Sequence, residues 1–138
     1  MHAYAGGACG GLAVFVGGSD GKSLYNHVVT FDFNYNTSTP AGAGGDKHKY
    51  AVKHASAHAR VGCLGDRFAL ISGGASGRDC VQTVSVLDTH HPPGDGAVLP
   101  VLATLGGSTG TLAVASLSNG EAVGFFDGVS MQLFTMGK

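Results

Sequence analysis

Residues 13 to 23 read AVFVGGSDGKS: an apolar run, a glycine pair, then Gly-Lys-Ser. Two folds compete for this stretch. A strand leading into a glycine-rich turn that ends in GKS is the outline of a phosphate-binding loop, which would open a nucleotide-binding α/β domain. A buried strand closed by paired glycines is instead a structural turn, where the backbone bends sharply or packs closely on a neighbour. The phosphate loop requires a glycine at position 16, and that position is Val16. No helical period follows Ser23.

A duplicate of the stretch decides between the two. Residues 2–32 laid on residues 58–88, a shift of 56 without a gap, match at nine of 31 positions. The identities are His2/His58, Ala3/Ala59, Gly6/Gly62, Ala13/Ala69, Gly17/Gly73, Gly18/Gly74, Gly21/Gly77, Val28/Val84 and Asp32/Asp88. The second copy keeps the glycines and replaces Lys22-Ser23 with Arg78-Asp79. A nucleotide site needs its Lys and hydroxyl; a structural turn needs only the glycines. A third, weaker copy, Leu112–Met136, repeats the order strand, polar turn, strand, glycine turn, strand, with Phe125-Phe126 or Phe126-Asp127 at the place of the double glycine.

Working outward, short runs bounded by Gly, Asn, Asp and Ser predict strands at Leu12–Val16, Tyr25–Phe33, Phe68–Ile71, Cys80–Leu87, Leu112–Leu117, Ala122–Phe126 and Met131–Met136. Val98–Leu105 carries Pro100, so it reads as an edge strand or a broken one. Asn34–Lys49 and Thr89–Ala97 read as long loops, polar and dense in breakers. Many short strands at regular spacing and no helical period predict an all-β chain.

A strand ending in Gly-Gly, a short variable loop and a strand ending in an apolar residue plus Asp resemble a kelch repeat. Leu12–Gly18 with Val28–Asp32, and Phe68–Gly74 with Val84–Asp88, carry the likeness. FDFNYNTST after the third strand and the His58-Ala59-Arg60 start of the second unit add to it. The resemblance implies four-stranded β-propeller blades in one domain spanning 1–138. The units would be 2–56, 57–108 and a partial third, 109–138. Kelch units usually carry a Trp after the third strand; this chain has none, and the resemblance places Tyr50, and Leu99 or Val101, in the corresponding space. Two and a half blades do not close a ring of four to eight. The expectation is therefore an incomplete ring, with a compact β-sandwich as the alternative.

An open array leaves its outermost faces bare. Leu12, Val14 and Val16 at one end and Val123, Phe125 and Leu133 at the other are the expected bare residues. Closure calls for further blades, a protein partner or a second copy of the chain. The resemblance implies a protein-interaction or scaffold module; the other reading is the propeller part of a kelch-containing enzyme whose catalytic groups lie outside this chain.

Among chemical groups, a net charge of −1 supplies no basic field for nucleic acid or an anionic membrane. No run approaches the ~18 apolar residues of a membrane span. Cys9, Cys63 and Cys80 are widely spaced and odd in number, without a CxxC, which predicts free thiols in a reducing, cytoplasmic setting; one disulfide plus a spare thiol is the other state. His54 and His58 have an i, i+4 spacing that suits a metal only on a helix, and none is predicted there, so no metal or cofactor is expected. His90-His91 precedes Pro92-Pro93 in a turn. Ser72, Ser76 and Ser85 lack a nucleophile-elbow context, so no catalytic residue is assigned. Gly17, Gly18, Gly73, Gly74, Asp32 and Asp88 are structural positions of the repeat, the Asp pair as turn formers.

Overall fold

A computed structural model describes residues 5–17, 26–32, 46–52, 57–76, 79–80, 83–104, 113–117, 120–126 and 131–136. Among them there is no α-helix. Sheet 1 is the antiparallel run of β1 (Ala5–Cys9), β2 (Leu12–Val16), β3 (His27–Asp32) and β4 (Asp46–Ala51). Sheet 2 is β5 (Ala57–Leu64), β6 (Phe68–Ser76), β8 (Thr83–Asp88) and β9 (Val101–Thr104), with the short β7 (Asp79–Cys80) paired to the end of β6. Sheet 3 is β10 (Ala113–Leu117), β11 (Ala122–Phe126) and β12 (Met131–Thr135). The described residues are all-β, in three antiparallel sheets, none closed into a barrel.

The three sheets stack in chain order, with sheet 2 in the middle. Strand side chains alternate between faces, and in β6 both sets are buried. Ala69 and Ile71 face sheet 1, in a core with Cys9, Val14, Val16, Val28 and Tyr50. Leu70 faces sheet 3, in a second core with Leu64, Val84, Val123 and Phe125. A fully buried Val, Leu or Phe contributes about 1.5–3 kcal/mol, so these two apolar layers hold the stack. The sheets approach most closely along their first strands: β5 lies against β1 on one side and β10 on the other.

Glycine makes that approach feasible. A Cβ on Gly7 would sit 3.3 Å from Val61 Cγ1, and one on Gly62 only 2.6 Å from Val123 Cγ1. The loop from β8 to β9 adds a second tie between sheets 1 and 2. It runs along the outer edge of β4, where Ala51 N–H donates to Ala97 O and Leu99 N–H donates to Ala51 O. The edge strand of sheet 1 is thereby covered.

The 56-residue repeat reappears in the pairing. Leu12 lies opposite Asp32 and Phe68 opposite Asp88, and each pair through Val16/Val28 and Ser72/Val84 keeps that shift. The preceding hairpins differ by one residue. Cys9 and Leu12 enclose Gly10-Gly11, whereas Leu64 and Phe68 enclose three residues, Gly65 to Arg67. Ahead of the hairpin the equivalent described residues are therefore 55 apart, which makes Gly7 and Gly62 counterparts and separates the identity Gly6/Gly62.

Several expectations need correction. Asn34–Lys49 is not wholly a loop, because Asp46–Lys49 belong to β4; residues 33–45 lie outside the described residues. Charged residues read as loop here because only Tyr50 of this edge strand is a large apolar core residue. β1 and β5 were not predicted as strands: their glycines and alanines serve close packing rather than strand propensity. β6 runs five residues past Ile71, through Gly73 and Gly74. Leu12, Val14 and Val16 do not face outward but pack toward sheet 2, as Val123 and Phe125 do from the other side. The free-thiol expectation fails for two cysteines: Cys9 and Cys63 form a disulfide with Cα atoms 5.3 Å apart. They lie on neighbouring first strands, which their separation of 54 in sequence hides.

Candidate functional site: two open faces and a cleft

Sheet alternation turns one face outward at each end of the stack, and each carries exposed apolar side chains. On sheet 1 it carries Phe15, which is 43% exposed. Phe15 meets Phe31 edge to face with ring centroids 5.9 Å apart. It also lies over Gly6 opposite, where a Cβ would be 3.2 Å from the ring. On sheet 3 the bare face carries Phe126, Met131 and Leu133, at 43%, 54% and 44% exposed. Met131 likewise covers a glycine, Gly124. Phe125 is turned the other way and packs edge to face on Phe134 at 5.7 Å.

Between sheets 2 and 3 the stack opens into a cleft of about 530 Å³. Leu64, Phe68, Leu70, Val86 and Leu102 line one wall, and Phe134 to Met136 the other. Among the described lining residues the one charged side chain is Arg67. That guanidinium lies over the Phe68 ring at 4.8 Å and grips Asp88 with two hydrogen bonds, of 2.9 and 2.8 Å. The Asp88 carboxylate also accepts the backbone N–H groups of His90 and His91, at 3.0 and 3.3 Å. The Arg67 hydrogen bonds, reinforced by those two N–H groups, hold the Asp88 carboxyl well below the ordinary carboxylate range. One corner is thus fixed: the turn after β8 is wound onto Asp88, and Thr89 Oγ1 donates to Arg67 O.

Sheet 1 has no Arg at the corresponding corner, since its hairpin is a residue shorter and all glycine. Asp32 stands opposite Leu12 as Asp88 stands opposite Phe68. Gly10 N–H instead donates across to Asp66 Oδ1 of the next hairpin, at 3.1 Å. Arg67 was not predicted as the partner of Asp88; the signal that could have found it is a basic residue at the loop end of the β5–β6 hairpin.

The remaining sequence candidates are dispersed. Gly17 closes β2 with φ +66°, and its N–H donates to His27 O. Gly18, Lys22 and Ser23 lie outside the described residues, as does His54. Gly73 sits within β6 opposite Ala59, and Gly74 follows it in the strand. His58 lies in β5, so its backbone is extended rather than helical. His48 pairs with Asp95 of the β8–β9 loop at 3.1 Å, near the surface. Among the described residues no three His, Cys, Asp or Glu come together as a metal site. No helix there is long and apolar enough to cross a membrane.

The class that fold and surface define is an all-β stack of antiparallel meanders with apolar ends. No protein-family model and no curated protein matches the sequence.

Proposed function

We propose that this chain is part of a kelch-type propeller that serves as a protein-interaction or scaffold module. The ring is completed by further blades, a protein partner or a second copy. The observation that carries the reading is the pair of bare apolar faces at the two ends of the stack. Sheets in the middle of such a stack bury both faces, and clusters of exposed apolar side chains such as Phe126, Met131 and Leu133 are the mark of a protein-interaction surface. The common register of sheets 1 and 2, and their close approach along the first strands, support blade-like units. A cytoplasmic location belongs to the same proposal, with one condition. In a reducing compartment Cys9 and Cys63 are thiols, so packing and the β4 clasp hold sheets 1 and 2 there.

Light scattering of the purified chain over a range of concentrations tests the reading. Concentration-dependent association is expected, and it should be lost when Phe15→Glu and Leu133→Lys are combined. Both positions are exposed, so the double variant keeps its fold. A cooperatively melting monomer at high concentration, with wild type and variant alike, would point to a self-sufficient sandwich instead.

A further inference from the structure

Sheets 1 and 2 are fastened at two opposite edges, with their shared apolar layer between. On the outer edge, β4 and the β8–β9 loop make three backbone hydrogen bonds: Ala51 N–H to Ala97 O, Leu99 N–H to Ala51 O and Gly96 N–H to Lys49 O. His48 meets Asp95 beside them at 3.1 Å. On the first-strand edge, the described residues supply the Cys9–Cys63 disulfide and, near the surface, the Gly10 N–H bond to Asp66. Packing of Gly7 on Val61 brings β1 and β5 together there. It holds the two cysteine Cα atoms 5.3 Å apart, within the span a disulfide needs. Cys80 is too distant to exchange with the pair. It stands opposite Ala75 of β6 and Cys63 opposite Ala69, which is six residues or ~20 Å along the strand. The two bonded cysteines differ in access: Cys9 is 2% exposed, whereas Cys63 is half-buried.

We infer that Cys9 and Cys63 are a reversible redox latch on the first-strand edge, entered at Cys63 by a dithiol reductant, and that reduction frees this edge while the β4 edge stays closed. The apolar layer and the β4 hydrogen bonds do not involve the sulfurs, so the fold survives in both oxidation states. In the reducing direction a thiolate of the dithiol attacks Cys63 Sγ, the more accessible sulfur. The bond between the two sulfurs breaks, and Cys9 Sγ leaves with the electron pair and takes up a proton. The second thiol of the reductant loses its proton and displaces Cys63, which is protonated in turn, and the reductant departs as its own disulfide. The pair gains two electrons and two protons; an oxidised dithiol reverses the sequence. With the bond open, this edge keeps one hydrogen bond near the surface where the other keeps three and an ion pair. The inference is independent of the interaction-module reading.

The test uses the full chain, natively folded, in mixtures of reduced and oxidised dithiothreitol. Acid quenching, alkylation and peptide mass mapping then report the state of each cysteine. The disulfide should be lost completely without denaturant and should re-form when the mixture is reversed, with the circular dichroism spectrum unchanged. A bond that yields only in urea, a reduced chain that unfolds, or a bond that does not re-form overturns the inference. A pulse of iodoacetamide on the reduced chain should label Cys63 ahead of Cys9; the same rate at both, or the reverse order, overturns entry at Cys63. Amide hydrogen exchange followed by NMR locates the loosening. On reduction the Gly10 amide should exchange at least tenfold faster, a loss of about 1.4 kcal/mol of protection. The Ala51 and Leu99 amides, bonded on the β4 edge, should keep their rates. Equal acceleration at both edges, or none at Gly10, overturns the latch.

Discussion

At the scale of residues, close approach and backbone conformation give glycines here quite different weights. Gly62 faces Val123, which is fully buried, short and β-branched, so it has no flexible end to move aside. Gly62→Ala should cost about 1–3 kcal/mol from overpacking. Gly17→Ala should cost about 1–2 kcal/mol for a different reason, its φ of +66°. Gly94→Ala, with nothing within 4 Å of the added carbon, should stay within about 0.5 kcal/mol of wild type. Urea denaturation of the three variants checks the order. Asp88 gives a pH-dependent counterpart. Its folded-state pKa lies below the ordinary 3.8, so its contribution is fully present above that value. It is lost progressively as pH falls toward the depressed folded value. Wild type should therefore lose stability between about pH 5 and pH 2 more steeply than Asp88→Asn, and the two should converge at the acid end. Urea midpoints across that range read the difference.

At the scale of elements, what was legible in the sequence followed from burial. β2, β8 and β11 present Val, Leu and Phe to one or both layers, and their apolar runs announced them. β4 gave no such signal, because an edge strand keeps Lys and His toward water and commits only Tyr50 to the core. β1, AGGAC, was equally silent: its role is to let β5 come near, and small side chains that permit approach look like loop. The 56-residue shift is kept in the β2–β3 and β6–β8 pairings, since hydrophobic register fixes them. Ahead of the hairpins the ungapped alignment is off by one residue, because a two-residue and a three-residue hairpin are indistinguishable in a comparison rich in glycine. Face assignment was the hardest part. Alternation shows that Val14 and Phe15 oppose one another, yet only the position of the neighbouring sheet shows that Val14 is the inner one. The cleft was invisible for the same reason, as Leu102, Val86 and Phe134 come from strands of two different sheets.

At the scale of the whole molecule, the sheets are unequally fastened. Sheets 1 and 2 share an apolar layer, the β8–β9 loop lying along β4, the Gly10–Asp66 hydrogen bond and the Cys9–Cys63 disulfide. Sheet 3 is held to sheet 2 by its own apolar layer and by the Gly65 N–H bonded to Gly120 O. The disulfide has a mechanical consequence. It shortcuts the chain between two residues 54 apart, and that loop contains β2, β3 and β4 in full. A molecule stretched by its ends in an optical trap can pay out everything except this loop while the bond is intact. With reductant present, the fully extended tether should lengthen by about 190 Å, at roughly 3.5 Å for each released residue. The length of the pulled chain thus becomes a direct gauge of its redox state.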